Sequence, residues 1–169
     1  MANPMVLLET SLGDILLELF PEQAPITVEN FLKYVDDEHY DGLIFHRVID
    51  NFMIQGGGLS VMMREKPGRE PIKNEAGNGL TNDTGTIAMA RTSDVNSATA
   101  QFFINVNDNA FLNHSDESVS GFGYCVFGKV AEGMDVVNKI KKVRTKTAGP
   151  YSDVPADPVS IISARRFDV

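Results

Sequence analysis

The sequence predicts a mainly β protein, a closed eight-stranded antiparallel β-barrel capped by two α-helices. Eight short segments are rich in apolar, β-branched and aromatic residues, and Gly-, Asn- and Asp-rich connections separate them. Two other segments repeat apolar residues at helical spacing. Closing the sheet removes its exposed edges, so this set of elements favours a barrel with helices over its ends.

The chain opens with a predicted β-hairpin. Residues 5–10 and 15–20 are two apolar strands, and Gly13 and Asp14 between them suit a tight turn. The six further predicted strands are residues 43–49, 52–55, 86–90, 101–106, 124–130 and 159–167. Together these eight segments are the predicted strands of the barrel.

Two amphipathic helices complete the prediction. Pro25 and Thr27 are typical helix-start residues, and apolar residues recur at i, i+3, i+4 and i+7 from Val28 to Val35. The second helix, residues 134–142, follows a glycine and carries its lysines on the side away from its apolar residues. We expect those lysines to form a solvated face.

Three long connections, residues 59–85, 107–123 and 144–158, hold most of the remaining Gly, Pro, Asn and Ser residues. The chain shows no internal repeat and no linker that would split it. Its 169 residues are enough to bury one core without disulfides or metals, so residues 1–169 are interpreted as a single domain.

Composition and charge exclude several classes of partner. A formal charge of −8 should repel phosphate backbones, which argues against nucleic acid. The sequence shows neither a run of transmembrane length nor the pattern of a signal peptide, so we expect no membrane association. The single cysteine, Cys125, cannot form an internal disulfide, which fits a cytoplasmic location. No heptad pattern suggests assembly, and a monomer is expected.

The familiar catalytic motifs are missing. His39, His46 and His114 have no metal-binding spacing and the one cysteine lies far from them, so no metal and no cofactor are expected. There is no Gly-x-Ser-x-Gly nucleophile elbow. A hydrolase that uses His46 or His114 is therefore kept only as a contrasting hypothesis. The glycine run at residues 56–58 is interpreted as a turn or bulge leaving a strand, not as a phosphate loop.

Two segments could form a binding site. If residues 44–49 are a strand, Phe45, Arg47 and Ile49 share one face and place an arginine in line with apolar groups. The alternative is an arginine at a sheet edge with its head in water. In the segment 101–105, alternation separates Phe102 from Phe103, so one ring can fill the core while the other faces a site; both could also be core.

At these residues the chain resembles the cyclophilins. Residues 40–57, YDGLIFHRVIDNFMIQGG, follow the signature of that family, and the resemblance continues through residues 85–91, 101–105 and 126–130. It covers the chain from residue 6 to residue 167. The sequence is most similar to the bacterial cytoplasmic cyclophilins of the peptidyl-prolyl isomerase B type.

The resemblance implies an eight-stranded barrel and a surface groove in which Xaa–Pro bonds of peptides and folding proteins are isomerised without a cofactor. Arg47 would be the catalytic arginine, stabilising the twisted amide without a covalent intermediate. The residues implied to line the proline pocket are Phe52, Met53, Phe103 and Leu112. Those implied to lie along the peptide groove are Gln55, Ala90, Arg91 and Gln101, with Gln55 also holding the Arg47 head.

The sequence departs from the better-known family pattern at four positions. Phe111 stands where many members have tryptophan, and Tyr124 where many have histidine. Losing the indole N–H predicts weakened binding of the inhibitor cyclosporin, while Phe111 still supplies an apolar wall. Gly58 replaces a common aspartate and Arg91 an asparagine, which bears on substrate preference. The alternative function is a proline-directed peptide-binding module or chaperone in which catalysis is incidental.

Overall fold

The computed structural model describes residues 3–167, and within that range it contains ten strands and two α-helices. The strands are β1 (Met5–Thr10), β2 (Gly13–Leu19), β3 (Leu43–Ile49), β4 (Met53–Ser60), β5 (Thr86–Met89), β6 (Phe102–Asn105), β7 (Val126–Glu132), β8 (Thr145–Ala148), β9 (Tyr151–Pro155) and β10 (Ile161–Arg166). The helices are α1 (Pro25–Asp36) and α2 (Met134–Lys141), and a short 3-10 helix spans Ala110–Leu112. Neither α-helix is long and apolar enough to cross a membrane.

Eight strands form one antiparallel sheet in the order β10-β1-β2-β7-β5-β6-β4-β3. Its two outer strands approach each other, because the Gly42 N–H donates to the Ile161 carbonyl at 2.8 Å and the Phe45 N–H to the Val159 carbonyl at 3.0 Å. The sheet is therefore a nearly closed barrel. This confirms the predicted mainly β fold with eight barrel strands and two helices.

Aromatic side chains from strands and helix fill the barrel. Phe31 of α1 lies between the rings of Tyr40, Phe102 and Phe127, with centroids 5.1 to 5.8 Å away. All four side chains are almost fully buried. Burying a side chain of this size contributes roughly 1.5–3 kcal/mol, so these rings are a main source of barrel stability.

A second, two-stranded sheet of β8 and β9 lies outside the barrel. The prediction that residues 144–158 are only a long connection is therefore wrong. The segment Thr145–Ala148 is exposed along nearly its whole length and shows no apolar alternation, so only backbone pairing reveals it as a strand. The Tyr151 ring on β9 packs 6.2 Å from His46 on β3.

Bulges in the β3–β4 pair decide which way Arg47 points. The register shifts between Leu43 and Phe45 and again between Phe45 and Arg47. Phe45 consequently lies in the barrel core, whereas Arg47 is exposed on the outside, so the prediction that the two share a face is wrong. Gly57 has φ +91° at this point of β4, and a Cβ there would lie 2.8 Å from the Tyr40 ring. The predicted glycine bulge is thus inside β4.

Candidate active site

A second apolar cluster lies on the outer face of the barrel wall. Along β6, Phe102 and Ile104 point into the barrel core, while Phe103 points outward. Ala88 of β5 shares that outer face. The buried members of this outer cluster are Met53, Ala88, Phe103, Leu112 and Val126. Because side chains alternate along a strand, the inner face of the sheet fills the barrel and its outer face forms an apolar floor.

A pocket of about 130 Å³ opens above this floor. Its lining residues are Arg47, Phe52, Met53, Gln55, Ala90, Arg91, Phe103, Leu112 and Tyr124. They come from the three strands β3, β4 and β6, from the short 3-10 helix, and from the connections next to β4, β5 and β7. The structure thus brings together nine of the eleven residues that the sequence analysis singled out, all except Gln101 and Phe111.

The Arg47 guanidinium stands at one wall of the pocket. Its central carbon lies 5.9 Å from the centroid of the Phe52 ring, which is half-buried. Within residues 3–167 this guanidinium has neither a hydrogen bond nor an ion pair with another side chain or carbonyl. Its N–H donors are therefore free to point at a ligand.

Gln55 does not hold the Arg47 head, contrary to the implied role. The two residues are paired across β3 and β4, but the Gln55 Nε2 donates to Gln101 Oε1 at 3.0 Å. Gln101 lines a neighbouring depression of about 340 Å³ that shares Gln55, Ala90 and Arg91 with the pocket. The two hollows form a continuous groove with the glutamine pair at their junction.

Arg91 is fixed by the backbone around it. Its Nε donates to the Gly123 carbonyl at 3.0 Å, its Nη1 to the Thr92 carbonyl at 2.9 Å, and its Nη2 to the Val119 carbonyl at 3.3 Å. The guanidinium also lies 4.8 Å over the Tyr124 ring. Since these contacts use one donor on each of its three nitrogens, Arg91 acts as a wall of the groove that secures the connection before β7.

Phe111 lies on the rim of the pocket. Its side chain is 74% exposed, and its ring is 5.6 Å from the Phe52 ring. The pair extends the apolar surface beyond the pocket mouth. Phe111 therefore sits where it can contact a larger ligand without lining the pocket itself.

The residues that line the pocket include no carboxylate, imidazole, thiol or aliphatic hydroxyl. Its titratable lining residues are Arg47, Arg91 and Tyr124. His46 lies beside Arg47 in sequence but is buried; burial, and then the nearby Arg47 charge, lowers its pKa to about 4. Burial likewise raises the pKa of the Cys125 thiol to about 11, and Cys125 does not line the pocket. The arrangement suits binding and charge stabilisation.

Three buried asparagines lie behind the pocket and have no counterpart among the predicted site residues: Asn82, Asn105 and Asn109. Asparagine is common in turns, so the sequence alone suggests that these are ordinary turn or loop residues. Their near-complete burial is visible only in the folded chain. A polar residue at the end of an apolar strand, such as Asn105 after Ile104, was the one signal that could have drawn attention to them.

Comparison with known proteins gives consistent matches. A profile of the family described as "Cyclophilin type peptidyl-prolyl cis-trans isomerase/CLD" matches residues 5–166. The chain is 60% identical to a Streptomyces antibioticus peptidyl-prolyl cis-trans isomerase, over 94% of this chain and 95% of that protein. It is 57% identical to peptidyl-prolyl cis-trans isomerase B of Escherichia coli, over 94% of this chain and 97% of that protein.

Solved structures also match. A crystal structure of a cyclophilin-type isomerase from Cryptosporidium parvum superposes with a TM-score of 0.81 at 28% identity, covering 99% of both chains. A structure of the same protein determined in the presence of the dipeptide Ala-Pro gives a TM-score of 0.79 at 28% identity, covering 98% of this chain and 99% of that one. The likeness thus extends over nearly the whole length of both proteins.

Proposed function

The chain belongs to the cyclophilin-type peptidyl-prolyl cis/trans isomerase family, and we propose that it works through the pocket in front of Arg47. Its activity is the acceleration of rotation about Xaa–Pro bonds, the activity named for relatives at 57–60% identity. The observation that carries the proposed mechanism is an arginine with unpaired donors facing a pocket with an apolar floor. A proline-containing peptide is the proposed ligand of that pocket.

The rate acceleration that such an enzyme must provide follows from the barrier to rotation about the amide bond. An Xaa–Pro bond exchanges in tens to hundreds of seconds because rotation breaks resonance, a barrier of about 18–20 kcal/mol. Shortening the exchange to tens of milliseconds requires roughly four decades, or about 5.5 kcal/mol of transition-state stabilisation. No bond needs to form or break, so neither a nucleophile nor a general base is required.

Arg47 would supply a directed share of this stabilisation. When the amide twists, the proline nitrogen becomes pyramidal and its lone pair becomes a hydrogen-bond acceptor. A guanidinium that donates to this nitrogen binds the twisted form better than either planar form, which is the condition for lowering the barrier. A charge-assisted hydrogen bond contributes about 1.5–3 kcal/mol, so Arg47 alone does not reach the total.

The rest would come from holding the substrate on either side of the rotating bond. Met53, Phe103 and Leu112 are buried in the outer cluster and provide a rigid apolar seat for the proline ring. Gln55 and Gln101, at the junction of the two hollows, can hydrogen-bond the peptide backbone. When the proline ring and the flanking chain are both held, rotation about the Xaa–Pro amide bond is the main motion left to the bound peptide.

The test is NMR exchange spectroscopy of a short Ala-Pro peptide. We expect a catalytic concentration of the unmodified protein to increase the cis/trans exchange rate of the peptide, seen as broadening of the cis and trans signals or as exchange between them. Arg47→Ala should lose most of this increase. Arg144→Ala is the matched control, because Arg144 is exposed and does not line the pocket. A folded Arg47→Ala protein with undiminished exchange would refute the assigned role.

A second candidate is a proline-directed binding module or chaperone in which catalysis is incidental. The apolar seat that favours it does not include Arg47, so Arg47→Ala should still bind the peptide. If that variant fully supports the refolding of a client protein limited by proline isomerisation, binding is the relevant function. If client refolding slows together with peptide exchange, catalysis is.

Three finer properties complete the proposal. Cyclosporin binding should be weak, since Phe111 presents no N–H donor at the rim, where the family pattern described above implies a tryptophan. The protein is proposed to be cytoplasmic, supported by the free and buried Cys125 thiol, which suits a reducing compartment. It is proposed to act as a monomer, because the pocket is complete within one chain.

A further inference from the structure

A chain of three buried asparagine side chains runs behind the pocket. Asn109 Nδ2 donates to Asn105 Oδ1 at 2.8 Å, and Asn105 Nδ2 donates in turn to Asn82 Oδ1 at 3.0 Å. All three residues are at most 1% exposed. Every donation runs in the same direction, so the amides polarise one another, as hydrogen bonds in series do.

Both ends of this asparagine chain reach the backbone of pocket-lining residues. At one end, Asn109 Nδ2 donates to the carbonyl of Phe52 at 2.8 Å. At the other, Asn82 Nδ2 lies 3.3 Å from the Leu112 carbonyl and 3.4 Å from the Tyr124 carbonyl. Phe52 belongs to the β3–β4 connection, and Leu112 and Tyr124 belong to the β6–β7 connection, so all three lie outside the strands.

From this geometry we infer that Asn82, Asn105 and Asn109 are positioning residues that set the spacing between the walls of the pocket. None of the three lines the pocket, so they act through the residues whose carbonyls they hold. Met53 and Phe103 are placed differently, by strand pairing between β4 and β6. The strands therefore fix Met53 and Phe103 in the floor, and the asparagine chain fixes the backbone of the pocket residues that lie on the connections, Leu112 of the floor among them.

The Phe52 end of the asparagine chain should matter most for turnover. The Phe52 ring lies beside the Arg47 head and stacks on Phe111, so a shift of the Phe52 backbone changes the surface against which the guanidinium lies. A displacement of about 1 Å in a catalytic site can cost roughly 100-fold in rate. Removing the Asn109 amide should lower kcat at least about fivefold, with a smaller change in KM because the floor of the pocket remains.

The inference rests on the proposed function, and the experiment separates the two. Steady-state kcat and KM for an Ala-Pro peptide are measured for the unmodified protein, Asn109→Ala and Asn109→Ser, well below their melting temperatures. The hydroxyl of the serine variant supplies one donor where the amide supplies two, so it should fall between the other two proteins. Val137→Ala, a fully buried truncation on α2 away from the pocket, is the control for a general loss of stability.

The expected result is a kcat loss in Asn109→Ala that Val137→Ala does not show at a comparable melting temperature. Unchanged kcat in folded Asn109→Ala, or an equal loss in Val137→Ala, would overturn the inference while leaving the isomerase assignment intact. If the alanine variant does not fold, unchanged kcat in Asn109→Ser overturns it. An unmodified protein without activity would instead refute the proposed function.

Discussion

Gly58 allows the Gln101 side chain to lie against the backbone of β4, and adding one methyl group there should disturb the groove without unfolding the protein. A Cβ built on Gly58 would lie 2.5 Å from both Cγ and Cδ of Gln101. Two carbons cannot approach so closely, so the Gln101 side chain must rotate away. That rotation breaks its hydrogen bond with Gln55.

Gly58→Ala should affect peptide binding and turnover in the groove more than it affects the free energy of unfolding. The φ of Gly58 lies outside the left-handed region, and replacing such a glycine with alanine stiffens the unfolded chain, a gain of about 0.4–1 kcal/mol. A lost side-chain hydrogen bond costs about 0.5–1.5 kcal/mol, which is of similar size. The melting temperature should therefore change little, whereas kcat/KM for an Ala-Pro peptide should fall about 2- to 12-fold.

A double-mutant cycle tests this reasoning. Gly58→Ala should be nearly neutral for kcat/KM in a Gln101→Ala background, because the colliding atoms are already gone. Gly57→Ala is a useful contrast: with φ +91° and a Cβ 2.8 Å from Tyr40 Cε1, it should lower the melting temperature. An equal activity loss from Gly58→Ala in both backgrounds, or no loss in the first, would refute the explanation.

Two further predictions concern the rim of the pocket and pH. Phe111→Trp should tighten cyclosporin binding about 2- to 12-fold by restoring an indole N–H at an exposed position. Because the chain has no tryptophan, the new residue also reports binding through its fluorescence, and an unchanged Kd would contradict the prediction. Burial lowers the pKa of His46 from 6.5 to about 4, so the unfolded chain binds the proton more readily than the folded one. Stability should therefore decrease as the pH falls from about 6.5 to about 4, by up to about 3 kcal/mol, and urea unfolding at several pH values should show a smaller decrease for His46→Gln.

The sequence predicted the barrel well because its strands and helices carry their own periodic signals. The buried face of α1 and the separation of Phe102 from Phe103 both follow from spacing alone. The β8–β9 hairpin was not predictable in this way, because β8 is almost entirely exposed and gains nothing from an apolar pattern. Backbone pairing without burial leaves little trace in a sequence.

The candidate site was foreseen through family resemblance more than through residue chemistry. Simple alternation placed Phe45 with Arg47, and only the bulge between them turns the arginine outward. The resemblance pointed to the pocket residues, but it did not indicate that Gln55 bonds Gln101 or that Arg91 donates to three backbone carbonyls. These contacts depend on the local geometry of this chain, as does the burial of the asparagines behind the pocket.

The central claim is that Arg47 acts through directed donors and not through charge alone. Arg47→Lys retains the charge but replaces a rigid planar fork with a flexible ammonium group. The direct measurement compares the exchange rate of a saturating Ala-Pro peptide by NMR, together with its Kd, in the unmodified protein and in Arg47→Lys. We expect a similar Kd and a loss of most of the catalysed exchange in Arg47→Lys. Exchange close to that of the unmodified protein would contradict the role of directed donors.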